Sequence, residues 1–315
     1  TTDSNGDTAT TVSSHALNVA AIADAPSLSA TPVTVNEDTS VNIGGGITYS
    51  LTDTDGSENI TQVQVSSIPP GSTPTWVTSG SAVVSFNALT GVLTVTSTNP
   101  DPVLAAQDIR TTLNSLAITP PLHSDVDFTL NVAVTSTETT LSGGEVTTLS
   151  ATSTTTLPVT VTAVADAPTP AVINFTTEED TTVALVGLGG TLVDADSSES
   201  ISYRLEGVPA DVTLNGGTNL GGGNWLLTPA QLAALTLTPA AHWHGIIPLT
   251  LVAIATESST GLSAETPAAF TVTVDAQADA PALTAGPSTT NEDVAVNFGA
   301  NISYGLVDSD GSESV

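Results

Sequence analysis

Phe270-Thr271-Val272-Thr273-Val274 alternates apolar and polar side chains without a break. A period of two puts every apolar residue on one face of an extended chain, the mark of a half-buried strand. The pattern recurs in Val33–Val35, Ser40–Ile43, Ile47–Leu51, Gln62–Val65, Val92–Thr96, Phe128–Val134, Leu157–Thr162 and Leu249–Ile254. Gly, Pro, Asn or Asp separates these segments at the spacing of a two-layer sandwich. Within Val92–Thr96, Leu93 and Val95 are expected on the buried face. Pro102–Leu116 has the spacing of a short helix, and Pro229–Leu235 that of a shorter one. The fold class expected is all-β, with tandem antiparallel Greek-key β-sandwiches.

Composition narrows the function. The 315 residues carry 32 acids against two cations, Arg110 and Arg204, and a net charge of −30. A nucleic-acid partner is excluded, because displacing counterions from phosphates needs many Lys or Arg. Anionic membrane surfaces repel such a chain, and no apolar run reaches the roughly 20 residues of a membrane span. Without Cys there are no disulfides, thiolate metal sites or cysteine catalysis. Disorder is the obvious alternative for an acidic chain. It fails because mean hydropathy is positive and charged residues are only 11% of the chain. This Thr-rich composition points to extracellular β-structure. The chain starts without Met or a visible signal peptide and reads as a piece of a longer protein.

The sequence repeats itself. Ala-Asp-Ala-Pro occurs at Ala23–Pro26, Ala165–Pro168 and Ala278–Pro281. Thirteen residues after each of its Asp residues stands a Glu-Asp pair: Glu37-Asp38, Glu179-Asp180 and Glu292-Asp293. An Asp-x-Asp-x-x-Glu turn follows: Asp53, Asp55 and Glu58; Asp194, Asp196 and Glu199; Asp308, Asp310 and Glu313. Leu113-Asn-Ser-Leu116-Ala-Ile118-Thr-Pro120 matches Leu232-Ala-Ala-Leu235-Thr-Leu237-Thr-Pro239. Glu138 and Glu257 come 25 residues after the first Leu of each. The expected organisation is the end of one repeat (1–23), a repeat with an insertion (24–165), a second repeat (166–278) and the start of another (279–315).

Sandwich topology then places the acids. The linker, the Asp-x-Asp turn and the late Glu should meet at one end of a domain. The Glu-Asp pair should lie at the other end, facing the next linker. One junction would gather Glu37, Asp38, Asp166, Asp194, Asp196, Glu199 and Glu257. Asp24, Asp53, Asp55, Glu58 and Glu138 form the corresponding upper set one repeat earlier. Glu179, Asp180, Asp279, Asp308, Asp310 and Glu313 serve the repeat after. So many carboxylates repel one another unless a cation sits among them. Ca²⁺ is the natural choice, since it takes six to eight oxygen ligands flexibly while Mg²⁺ demands an octahedron. Zn²⁺ would want His or Cys. The Asp-x-Asp-Gly element lacks the twelve-residue EF-hand loop.

The ordered set of linker, Glu-Asp pair, Asp-x-Asp-Gly-Ser-Glu turn and Leu-x-x-Leu-x-Leu-Thr-Pro stretch resembles the tandem cadherin-like or immunoglobulin-like extender repeats of large bacterial RTX adhesins. The resemblance covers essentially the whole chain. It implies an extracellular, bacterial cell-surface protein whose repeats are rigidified by calcium. It also implies projection of a binding tip in attachment or biofilm formation. The partners implied are neighbouring repeats of the same chain, with lateral self-association or a surface glycan or peptide as further targets. The secretion-type Gly-Gly-x-Gly-x-Asp run is missing.

Other readings are weaker. Paired carboxylates suit a glycosidase or aspartic protease, but those chemistries need one unique pair, and these acids recur in every unit; no enzyme is expected. His242-Trp243-His244 reads as a turn before a strand with Trp243 over the core edge, rather than as a metal site. His15 and His123 have no partner in sequence and read as surface or packing residues. Thr-rich stretches suggest an ice- or sugar-binding face, yet Thr is also the ordinary outward residue of strands. Gly221-Gly-Gly223 lacks the Lys of a phosphate loop. The runner-up function is a ligand-binding module that uses the insertion near 66–121, with Trp76, as a recognition surface.

Overall fold

The computed structural model describes the chain except residues 16–21, 54–55, 143–144, 195–196, 308–310 and 315. It divides into two compact units. The first holds Thr1–Leu122 and Val126–Val161, the second His123–Asp125 and Thr162–Val315.

In the first unit the main sheet is built from β1 (Val33–Asn36), β2 (Glu58–Ser66), β3 (Ala82–Asn87), β4 (Val92–Ser97), β5 (Phe128–Ser142) and β6 (Glu145–Thr162). Their spatial order is β1-β6-β5-β2-β4-β3. The Thr-rich stretch after Val134 continues as strand, so that β5 and β6 make one long antiparallel hairpin. Thr135 and Thr152 hydroxyls lie 2.9 Å apart across it. The opposing layer is the short sheet of Val41–Asn42, Ala117–Thr119 and Thr73–Thr75, with Ser27–Ala30 paired to Ile47–Ser50. Alternation decides what is buried: Leu93 and Val95 face the core with Val63, Val65 and Leu130. Full burial of such a side chain is worth about 1.5–3 kcal/mol.

Helix α1 (Pro102–Asn114) crosses the open side of this sandwich. Asp101 caps it, its carboxylate accepting the Val103 and Leu104 N–H groups, and Pro102 suits the first turn. Ile109 and Leu113 lie on its buried face. Asp108 is buried as well and accepts hydrogen bonds from the Ser81 N–H, Ser97 hydroxyl and Asn99 amide. The Ser81 N–H is the main reason its carboxyl titrates below the usual range; the Asn99 and Ser97 bonds add to it against the cost of burial. Gly44 packs so close to the helix end that a Cβ there would fall 1.6 Å from the Leu113 carbonyl oxygen.

The second unit repeats the plan with β7 (Phe175–Glu178), β8 (Glu199–Glu206), β9 (Thr218–Gly221), β10 (Asn224–Leu227), β11 (Gly245–Glu257) and β12 (Ser263–Asp275), in the order β7-β12-β11-β8-β10-β9. The sheet is not wholly antiparallel: β7 runs parallel to β12, Phe175 beside Val272. Its helix α2 (Pro229–Ala233) is a single turn, started by a Thr228–Gln231 capping box. Leu205, Leu237, Leu251 and Val272 fill the core. Beyond the linker at 279, Ala282–Ala285 pairs with Ile302–Gly305, as Ser27–Ala30 pairs with Ile47–Ser50. No helix among the described residues is long and apolar enough to cross a membrane.

Candidate metal centres

One hydrogen bond occurs three times. The backbone N–H of Asp24 donates to Glu58 Oε1, that of Asp166 to Glu199 Oε1 at 2.6 Å, and that of Asp279 to Glu313 Oε1. The linker is thus tied, in each repeat, to the Glu that closes the Asp-x-Asp-x-x-Glu motif; Glu58 and Glu199 each start a strand there. In all three the second oxygen, Oε2, is buried without a hydrogen-bond partner among the described residues.

The late Glu residues arrive by strand register. Glu138 of β5 lies directly across from Glu58 of β2, and Glu257 of β11 across from Glu199 of β8. Like charges facing across strands are unfavourable, yet all four side chains are buried. Glu138 accepts the Ser57 hydroxyl at 2.7 Å, and Glu257 Oε1 the Ser259 hydroxyl at 3.0 Å. Glu257 Oε2 has no partner among the described residues. Asp194, also buried, accepts the Ser198 hydroxyl at 2.9 Å. Burial pushes the Glu199 carboxyl up, and the Asp194, Asp166 and Glu257 charges add to it against the opposing Asp166 N–H. In the first unit a bulge between Thr135 and Ser136 turns the Ser136 hydroxyl to the Asp24 carbonyl, at 2.6 Å.

The Glu-Asp pairs close the opposite ends of the sandwiches. Glu37 and Glu179 are each 3% exposed. Glu179 Oε1 accepts the Gln277 N–H from the next linker, and its Oε2 has no partner among the described residues. Asp38, Asp180 and Asp293 all hold left-handed backbone, φ 55°, 55° and 62°. Only Gly, Asn, Asp and His visit that region readily. Gly56 and Gly311 share φ 92° in the Asp-x-Asp turns, and Ser197 at φ 77° takes the equivalent place.

The structure therefore brings together Asp24, Glu58 and Glu138; Asp166, Asp194, Glu199 and Glu257; and Glu179, Asp180, Asp279 and Glu313. Asp53 lines a cleft with Gly56 and Glu58. Glu37 and Asp38 sit in the turn after β1. Asp55, Asp196, Asp308 and Asp310 lie outside the described residues.

Two histidines correct the sequence reading. His123 Nδ1 is 2.6 Å from Asp166 Oδ2, a partner 43 residues away that sequence proximity does not reveal. His242 Nδ1 is 2.8 Å from Asp279 Oδ2 and 3.3 Å from Asp180 Oδ2. Trp243 does pack on the core, as expected of that turn. The available signal was positional: Thr119-Pro120-x-x-His123 and Thr238-Pro239-x-x-His242 share one spacing.

Chemically, the set is carboxylate oxygens, several buried and lacking donors among the described residues. Arg204 is engaged with Glu206 and Glu265, and Arg110 donates to the Tyr49 carbonyl. A hard cation with oxygen ligands fits such a set.

No known family profile matches the sequence, and no curated protein matches it. Solved structures with a related arrangement include Drosophila N-cadherin EC1-4, 15% identical over 80% of this chain and 50% of that one, TM-score 0.31. PcdhgB3 EC1-4 is 12% identical over 82% and 53%, TM-score 0.34. The zebrafish RET cadherin-like domains 1 to 4 are 15% identical over 80% and 51%, TM-score 0.19. The chain spans about half the length of these cadherin structures. The all-β sandwich assignment rests on the strand order of each unit.

Proposed function

We propose that this chain is a calcium-stiffened extender segment of an extracellular adhesin, of the kind carried on bacterial surfaces as RTX adhesins. It would hold a binding tip away from the cell in attachment or biofilm formation. The repeats are taken as 24–165 and 166–278, flanked by the end of one repeat and the start of another. The observation that carries the reading is the thrice-repeated linker Asp N–H to Glu bond, with a buried carboxylate oxygen beside it that has no donor among the described residues. Bound calcium supplies positive charge to these oxygens. Asp24, Glu58 and Glu138 would hold it in one place, Asp166, Asp194, Glu199 and Glu257 in another, and Glu179, Asp279 and Glu313 in a third. Each Glu then ties its own sandwich to the linker, so the linker loses freedom when its carboxylates are neutralised. The role is mechanical; glycoside turnover by purified protein would overturn that.

The test is a calcium titration of chelator-stripped protein followed by small-angle scattering. Calcium uptake with a narrowed range of inter-repeat distances supports the reading, and Asp194→Ala should lose part of the uptake. No uptake at millimolar calcium would end it.

A second reading has its own observation. A cleft of about 630 Å³ beside α1 is lined by Tyr49, Leu51, Asn59, Gln107 and Arg110. The Arg110 guanidinium lies 4.1 Å over the Tyr49 ring. A small polar ligand such as a glycan suits this mix of aromatic face and donors. Glycan-array signal lost in Arg110→Ala would favour it; an array without signal would leave the spacer reading alone.

A further inference from the structure

His242 does not belong in an all-oxygen calcium site, and its position is built rather than accidental. One ligand atom each from Asp180, His242 and Asp279 lies within 4.8 Å of the other two. Bonds of about 2.0–2.2 Å to a transition metal set neighbouring donor atoms of a tetrahedron or octahedron roughly 2.8–3.6 Å apart. The Nδ1-to-carboxylate separations of 2.8 and 3.3 Å lie in that range. The backbone is tied to the same acid: the His242 main-chain N–H donates to Asp180 Oδ1 at 3.0 Å, and the residue holds φ 54°. All three side chains are about one-third to two-fifths exposed, so an ion reaches them without any part of the fold opening.

Two independent observations point to a ligand here. Glu179, next to Asp180 in the chain, is buried and its Oε2 has no donor among the described residues, while its other oxygen holds the same linker through Gln277. The arrangement also recurs. His123, at φ 53°, places Nδ1 2.6 Å from Asp166, the linker Asp one repeat earlier. Two of the four histidines in the chain occupy this one position. Left-handed backbone alone would be served as well by Asn or Gly; imidazole adds a nitrogen donor. Calcium prefers oxygen, whereas imidazole with carboxylates suits Zn²⁺, Co²⁺ or Ni²⁺.

We propose that Asp180, His242 and Asp279 form a nitrogen-containing site for a borderline divalent transition metal of the Zn²⁺ class, on the rim of the buried glutamate cluster. The inference rests on the proposed reading of the repeat ends as cation sites, and adds a second ion of different chemistry. Such a site makes the linker before Pro281 responsive to zinc as well as calcium.

The experiment uses the whole chain, free of any histidine tag, stripped with chelator. Calcium uptake is measured first, and its absence counts against the earlier reading only. The calcium-saturated protein is then titrated with Zn²⁺ while the imidazole ¹⁵N resonances are followed by NMR, with Co²⁺ absorption as a second readout. Zinc should shift the His242 Nδ1 resonance in the presence of excess calcium. His242→Asn keeps a residue tolerant of left-handed backbone and should weaken zinc at this site about tenfold or more, with calcium stoichiometry unchanged. His123→Asn separates the signal of the other imidazole. Unmoved His242 resonances at saturating zinc, or equal zinc affinity in His242→Asn, would overturn the proposal and leave a proton-bridged ion pair.

Discussion

The two units share their carboxylate ends and differ along their sides. The linker N–H to turn Glu bond and the pairing of turn Glu with late Glu across the strands recur in both, while the late Glu accepts from Ser57 in one and Ser259 in the other. The helical flank differs: α1 has 13 residues, with Ile109 and a hydrogen-bonded Asp108 on its buried face, where α2 has five. A sandwich side needs only enough apolar cover, and helices of different length provide it. A charge cluster needs each oxygen in a particular place, and so admits less variation. On the proposed reading, the repeated geometry puts the cation chemistry at the ends and leaves the flank to packing.

The comparison breaks first in the cores. Leu113→Ala and Leu232→Ala each empty a fully buried site on the inner face of the respective helix, at a cost of about 3 kcal/mol. Each should lower one transition in a two-step urea unfolding curve and spare the other. A single merged transition shifted equally by both variants would contradict independent units.

Calcium comes next. At about 100 times the dissociation constant it should add roughly 2.7 kcal/mol to the unit that binds it. Both units carry the carboxylate set, so calorimetry should show both transitions rising. A rise confined to the second unit would divide the ends that look alike.

A smaller effect has a diagnostic sign. Glu257→Gln removes one of two acids facing each other across β8 and β11. Without calcium it should stabilise the second unit by about 0.5–1 kcal/mol, because it relieves cross-strand repulsion. With calcium it should destabilise, because a ligand is lost. Destabilisation in both conditions would mean that the carboxylate is held by hydrogen bonds alone.

The smallest effects separate the flanks by pH. Asp108 and Glu265 both titrate below their ordinary ranges, Asp108 chiefly through the Ser81 N–H and Glu265 chiefly through its hydrogen bond from Arg204. A depressed carboxyl contributes stability above its unfolded pKa, and the contribution disappears as pH falls through the folded value. Asp108→Asn should therefore flatten acid unfolding of the first unit alone. Glu265→Gln should cost the second unit about 0.5 kcal/mol at neutral pH. Thermal scans from pH 6 to 3 read both.

Much of this was legible in the residues. Period-two alternation gave the strands and the buried face of Val92–Thr96, because side-chain direction in a strand depends on parity alone. The Pro102 and Pro229 segments announced their helices through residue spacing. The recurrent acids announced that something gathers at the repeat ends, since clustered like charge is costly unless it is used. The parallel pairing of β7 with β12 was not legible, because alternation carries no strand direction. Nor was the length of the β5–β6 hairpin, whose Thr-rich middle is too polar to read as core-facing strand.

What the sequence determined by itself was the class and the order: two-layer β-units, repeated, with acids at fixed places in each. The tertiary structure alone decided which atoms meet. It set Glu58 against Glu138 and Glu199 against Glu257, tied each linker N–H to one oxygen of a Glu, and left the other oxygen buried without a donor among the described residues. It brought His242 to Asp279 across 37 residues and His123 to Asp166 across 43. The physical reason is that periodicity is a local property of the backbone, readable a few residues at a time. A carboxylate cluster is a matter of ångströms between segments far apart in the chain, fixed only when registers and turns are closed together.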